Sequence, residues 1–179
     1  MIDLPEYIEQ IIFNALKRYP LDRTLLKAVI RTESGNNPWA VRAEVAKHTD
    51  KDGIVIYRSL WRYYYYPNIK AENVGSSVAT EWIMQATSWG LFQIMGSVAR
   101  ELNFTGWMTE LLLPETNVDY GCRIIKSKIE KYGDDPATIY AAYNAGSIKK
   151  TRAGSFINQV NVDRFMLHYR ELSRSIADK

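Results

Sequence analysis

Apolar positions near the start of the chain recur with a helical period. Ile8, Ile11, Ile12, Ala15 and Leu16 share one face, which predicts a first helix with Asp3 and Glu6 as a capping box and Pro5 in its first turn. Pro20 and Asp22 break and restart the chain. Leu25, Leu26, Val29, Ile30 and Glu33 form a second stripe, ended by Gly35. From Ala40 to Ala46 the period changes to two: Val41, Ala43 and Val45 alternate with Arg42 and Glu44. Asp52-Gly53 is a turn signal before Ile54, Val55, Ile56 and Tyr57, so a small β-hairpin is predicted. Helical reading resumes near Ser77, breaks at Gly90, and resumes with Ser97 capping residues 98–102. Pro114-Glu115 opens a long helix through Val118, Cys122, Ile125, Ile129 and Tyr132, closed by Gly133. Asp135-Pro136 starts another to about Ala145, and a last helix is predicted from about Phe156 to Ile176. The pattern is mainly α, a helical domain carrying a small β-hairpin or irregular insertion at about residues 41–89.

Length and composition narrow this picture. The 179 residues suit one domain, spanning 1–179, with a core of its own and no need of staples. A net charge of +3 is too weak a bias to argue for nucleic acid. Cys122 is the single cysteine, and His48 and His168 are the only histidines. That excludes an internal disulfide and argues against a zinc site or a histidine-based triad. No Gly-rich phosphate loop is present, so no metal or cofactor is expected. The start, MIDLPEYIEQ, has acidic residues and no apolar run, and does not read as an export leader. No stretch approaches the roughly 20 apolar residues of a membrane span. Chemistry here is expected to run on carboxylates.

Glu33 is the first candidate. It follows Val29 by four positions and Ile30 by three, so it continues an apolar face inward. Partial burial favours the neutral carboxyl, the form a general acid needs near neutrality. The alternative is an exposed glutamate at a helix end. Its neighbours change the weighting. Glu33-Ser34-Gly35-Asn36-Asn37-Pro38, Gly90-Leu91-Phe92-Gln93-Ile94-Met95 and Ala142-Tyr143-Asn144-Ala145-Gly146 follow in that order. Here the sequence resembles the soluble-lytic-transglycosylase-like family of the lysozyme superfamily, over roughly residues 22–160. The three motifs are similar to that family's E-S-G-x-N-P, G-L-M-Q-I and A-Y-N-A-G, and Pro114-Glu115-Thr116-Asn117-Val118 matches a connecting stretch.

The resemblance implies an α+β lysozyme-like fold and cleavage of peptidoglycan glycan strands. It makes Glu33 the catalytic acid and places Ser34, Gln93, Tyr143 and Asn144 in substrate binding. Gln93 would meet the sugar's N-acetyl or hydroxyl groups; Tyr143 and Asn144 would line the cleft and orient Glu33 or the saccharide. Each also has a plain structural reading. Gln93 could bond backbone at the Gly90 break, and Tyr143 and Asn144 could be packing and a helix cap. With one carboxyl, the implied reaction closes the muramoyl 6-hydroxyl on C1 and leaves a 1,6-anhydromuramoyl end.

Two departures bear on the chemistry. Glu33 and Gly90 are 57 positions apart, far more than the family's usual short loop. The insertion offers Glu44, Asp50, Asp52, Glu72 and Glu81 as a second carboxylate, with Glu44 preferred because the alternation puts it on a polar strand face. Paired with Glu33, it would make a hydrolytic muramidase. The other reading of Glu44 is a surface residue paired with a neighbouring basic group. The second departure is Phe156, where the family usually has a tyrosine whose hydroxyl bonds near the acid. Tyr57, Trp61, Tyr63 to Tyr66, Trp82 and Trp89 crowd the insertion and divide between core and sugar platform. A non-catalytic glycan-binding or virion structural module is the reading from another class. A wall substrate without a leader implies action in the cell wall or periplasm after phage release, within a virion, or through a specialised secretion assembly.

Overall fold

The computed structural model describes residues 4–49, 55–59 and 71–177. In chain order the elements are α1 (Glu6–Leu16), α2 (Arg23–Ser34), β1 (Val41–Ala43), β2 (Val45–Thr49), β3 (Val55–Ser59), α3 (Val78–Gln85), β4 (Thr87–Trp89), β5 (Ile94–Met95), α4 (Gly96–Glu101), α5 (Pro114–Tyr132), α6 (Pro136–Asn144) and α7 (Gln159–Ala177). Short 3-10 turns at Ala71–Val74 and Met108–Leu112 complete the described elements. The protein is mainly helical with a small antiparallel sheet, an α+β lysozyme-like fold. The chain groups into two compact units, Met1–Asn36 with Val118–Lys179, and Asn37–Asn117.

The first unit is all helix. Its core joins Ile8 and Ile12 of α1, Leu26 and Ile30 of α2, Val118 and Cys122 of α5, Tyr140 of α6 and Phe165 of α7, all at most 1% exposed. Two of the predicted helix starts carry side-chain caps. Asp22 Oδ1 accepts from the Thr24 N–H at the head of α2, and Asp135 Oδ2 accepts from the Thr138 N–H at the head of α6. α1 differs: its cap position is Pro5, with no side-chain bond, and Asp3 lies outside the described residues. α2 ends where Gly35 turns left-handed at φ 63°, a conformation with little steric cost for glycine. α7 begins at Gln159, three residues later than the periodicity predicts, because Phe156 pairs with Lys150 as an isolated bridge before the helix can start.

The second unit holds the β structure. β1 pairs antiparallel with β4, Val41 opposite Trp89, and β4 pairs with β5. β2 and β3 form the predicted hairpin, Val45 opposite Ser59 and Thr49 opposite Val55; the Asp52-Gly53 turn itself lies outside the described residues. β4 and β5 are absent from the sequence reading, which carries helix up to Gly90. Thr87, Ser88 and Trp89 are all buried, so no inside-outside alternation marks them as strand. Ser97 does not cap α4; Met95 holds the cap position and Ser97 is buried in the first turn.

Asn117, fully buried, ties this unit together. Its Oδ1 accepts from the Phe92 N–H at 2.8 Å, and its Nδ2 donates to the carbonyls of Trp89 at 2.9 Å and Leu111 at 2.7 Å. A Cβ on Gly90 would stand 2.4 Å from that Nδ2, and Gly90 also has φ +68°; glycine is required there on both counts. A second buried anchor is the pair Glu81–Arg100, 1% and 0% exposed, with Arg100 Nε 2.7 Å from Glu81 Oε1.

Candidate active site

Glu33 sits in the last turn of α2, partly buried. Tyr140, fully buried in α6, donates its hydroxyl to Glu33 Oε1 at 2.8 Å. Asn144, the last residue of α6, directs Nδ2 at the same oxygen from 3.5 Å, a long contact. The amide orientation of Asn144 follows from its neighbours. Asn158 Nδ2 donates to the Ala141 carbonyl at 3.2 Å, which can only accept, so that atom is fixed as nitrogen. It also donates to Asn144 Oδ1 at 2.9 Å, and Asn161 Nδ2 donates there at 3.1 Å. With Oδ1 engaged by two donors, Asn144 turns its nitrogen toward Glu33.

The electrostatics agree with this geometry. The phenol of Tyr140 is pushed far above its ordinary range, by burial first, then by the charge of Glu33 and the hydrogen bond to it; Arg164 acts weakly the other way. Tyr140 therefore stays protonated and donates. Tyr143 is shifted upward too, by burial and then by Glu33.

The frame behind the carboxyl is rigid. The Tyr140 ring stacks on Phe165 of α7, centroids 4.4 Å apart and 4° from parallel. Phe165 leans on Tyr169 at 6.0 Å, and the Tyr169 hydroxyl donates to Asp22 Oδ2 at 2.7 Å. Asp22 is the cap of α2, so one aromatic ladder through α7 holds both ends of the helix that carries Glu33. Beside it, the Thr32 hydroxyl donates to the Ala28 carbonyl at 2.6 Å, which leaves its oxygen to accept from His168 Nδ1–H at 3.0 Å.

Of the residues predicted from sequence, Glu33, Tyr143 and Asn144 come together in the first unit. Ser34 follows Glu33 but donates its hydroxyl back to the Ile30 carbonyl at 3.0 Å. Gln93 and Glu44 belong to the second unit. Gln93 Nε2 donates to the carbonyls of Ala40 at 3.0 Å and Gly90 at 2.9 Å, so both amide protons are spent on backbone and only Oε1 is left for a sugar donor. Gln93 also holds φ +48°, a strained value for a residue with a side chain. Glu44 Oε1 accepts from Arg42 Nη2 at 2.9 Å and from the Ser88 hydroxyl at 3.1 Å. Glu81 is locked to Arg100, Glu72 is exposed, and Asp50 and Asp52 lie outside the described residues. Trp89 is core, 6% exposed, its indole N–H donating to the Met84 carbonyl at 3.1 Å. Tyr63 to Tyr66 lie outside the described residues.

Tyr140 is the residue that sequence reasoning missed. Its one signal is spacing: it precedes Tyr143 by three positions and Asn144 by four, on the same face of α6. It also answers the departure at Phe156, since it brings a hydroxyl to Glu33 from another element. Cys122 is no competing nucleophile; burial pushes its thiol up to about 12, and Asp119 adds to the shift. Among the described residues no group of three or more His, Cys, Asp or Glu side chains stands placed to hold a metal ion, and no helix is long and apolar enough to cross a membrane.

A half-buried carboxyl held through Oε1 by a buried tyrosine is a group suited to acid–base chemistry. The chain belongs to the transglycosylase SLT domain family, whose model matches residues 10–160. At the level of that family the activity is peptidoglycan cleavage of the lytic transglycosylase type, directed at the cell wall. No solved structure matches the chain.

Proposed function

We propose that this chain is a single catalytic domain that cleaves the β-1,4 bond between N-acetylmuramic acid and N-acetylglucosamine, with Glu33 as acid and then base. The observation that carries this reading is the half-buried Glu33 carboxyl, which accepts the hydroxyl of the buried Tyr140 at Oε1 from 2.8 Å. The protonated Glu33 carboxyl gives its proton to the glycosidic oxygen as the bond to C1 breaks. The substrate's own acetamido carbonyl shields the developing cation, as in substrate-assisted glycosidases. The carboxylate then takes the proton of the muramoyl 6-hydroxyl, whose oxygen closes on C1. That nucleophile belongs to the same sugar and is already held near the reacting carbon. Tyr140 and Asn144 support the ionised stage by donating to Oε1. Tyr143 and Asn144 line the saccharide site, with Ser34 and the free Oε1 of Gln93 as further contacts in this proposal.

Digestion of purified sacculi tests it. The natural chain is expected to release fragments whose muramoyl ends are one water lighter than reducing ends, and Glu33→Gln to release none while keeping its thermal midpoint. Reducing ends alone would replace the anhydro reaction with hydrolysis and put Glu44 to the test as its second carboxylate. Retention on sacculi without release would make the chain a binding module. Delivery from a phage, in a virion or through a secretion assembly is part of the same proposal, and immunolabelling of particles and of the wall would read it.

A further inference from the structure

We infer that the second unit carries a glycan-binding pocket of its own, built around Trp107. This rests on the glycan substrate of the proposed function, but uses none of the residues assigned to its chemistry. The end of the 3-10 turn at Ala71–Val74, the head of α3 and residues 107–109 enclose a depression of about 180 Å³. Drug-sized sites start at about 300 Å³, so this one suits a single ring.

Trp107 forms one wall and is 63% exposed, whereas Trp89 in the same unit is 6% exposed. Its indole nonetheless approaches the protein along one edge. The edge lies over Gly75, where a Cβ would stand 3.5 Å from Cζ2 and 3.9 Å from Cε2. The backbone beside it is fixed: the Trp107 N–H donates to Glu110 Oε1 at 3.1 Å, its carbonyl accepts from the Glu110 N–H at 2.8 Å, and the Gly106 carbonyl accepts from Arg100 Nη1 at 2.9 Å. A large aromatic surface carried on a fixed backbone and left in water contributes little to folding and is open to a ligand.

The charges say which ligand. Arg100 and Glu81 lie in the lining, but they neutralise each other. Arg100 Nε and Nη2 donate to the two Glu81 oxygens at 2.7 and 3.1 Å, and Nη1 donates to the Phe104 and Gly106 carbonyls. Glu81 Oε1 also accepts from Gln85 Nε2 at 3.0 Å. Among the described lining residues no cation is spare for a phosphate or a carboxylate, and no free carboxylate faces an amine. The remaining lining combines methionine side chains, Met84 and Met108, with hydroxyls. The Ser77 hydroxyl donates to Thr80 Oγ1 at 2.8 Å, which leaves the Thr80 proton for an outside acceptor. An aromatic wall, an apolar floor and neutral hydroxyls match a pyranose: its axial C–H face packs on indole, its hydroxyls meet Thr80 and Ser76, and an N-acetyl methyl meets the methionines.

The test uses the full chain as the Glu33→Gln variant, so that glycan is not consumed, with its indole nitrogens labelled for NMR. Titration with a β-1,4-linked N-acetylglucosamine tetrasaccharide is expected to shift the Trp107 signal saturably, with Trp107→Phe supplying the assignment. Trp107→Ala is expected to weaken retention on sacculi about five- to tenfold, and Trp107→Phe to keep part of it. In the natural background, Trp107→Ala should slow release from sacculi but not turnover of short soluble glycan fragments. A tetrasaccharide that binds without moving the Trp107 signal overturns the proposal. So does an equal shift with the peptide stem alone, or an equal loss of turnover on sacculi and short fragments. If Glu33→Gln still cleaves, the catalytic reading fails, while the Trp107 titration with the uncleaved tetrasaccharide still reads the pocket.

Discussion

Glu33 has two chemically identical oxygens, and its neighbours make them different. Tyr140 and Asn144 both address Oε1. Tyr140→Phe removes the shorter bond while its ring stays stacked on Phe165. We expect kcat to fall about 10- to 100-fold, on the scale of a lost hydrogen bond to a charge developing in the reaction, with the unfolding midpoint little changed. Without that donor the ionised form of Glu33 loses support, Glu33 keeps its proton to higher pH, and the alkaline limb of the pH–rate profile moves upward. A limb that stays in place would show that Tyr140 serves packing alone. Glu33, Tyr143 and Asn144 are legible in the sequence because a helical stripe and short motifs mark them. Tyr140 is not, because a buried tyrosine on an apolar face reads the same whether it packs or donates.

At the scale of elements, helices are easier to read than strands. α2, α5 and α6 announce themselves through apolar spacing, caps and closing glycines. β4 and β5 are three and two residues long, and what makes them strands is a side chain elsewhere. Asn117, at the head of α5, closes the loop between them through three buried bonds. Asn117→Ala leaves the Phe92 N–H and two carbonyls without their partner. Each such loss costs about 1–3 kcal/mol, so we expect roughly 3 kcal/mol or more of destabilisation, read as a lower urea midpoint. A loss under about 1 kcal/mol would mean the loop finds other partners. The sequence does mark Asn117 within a family-like connecting stretch, but neither its spacing nor its polarity shows that it faces inward.

For the molecule as a whole, acid is the informative stress. His168, packed beside Thr32 between α2 and α7, is held below its ordinary 6.5, by burial first and then by the charge of Arg31. Its folded state resists protonation, so its contribution is complete above about 6.5 and is lost as pH falls from there. Glu9 lies below its ordinary 4.5; burial pushes it up, but Lys27 and Arg23 outweigh that. Its contribution is present above 4.5 and is lost as pH falls further. Stability should therefore decline in two stages on acidification. Urea midpoints at pH 7.5, 5.5 and 4 check this, and His168→Gln is expected to flatten the first stage and leave the second.

The sequence by itself determines most of the helices, the small hairpin, the candidate carboxylate Glu33 and the family. These follow from which positions avoid water and which residues start or stop a helix, properties written locally along the chain. Only the tertiary structure decides that Tyr140 bonds Glu33, that Gln93 spends its amide on backbone, and that Trp89 is core while Trp107 stands in solvent. Such choices depend on which groups meet when distant segments close on each other. Tyr140 and Glu33 are 107 positions apart, and no local pattern encodes which oxygen one offers the other.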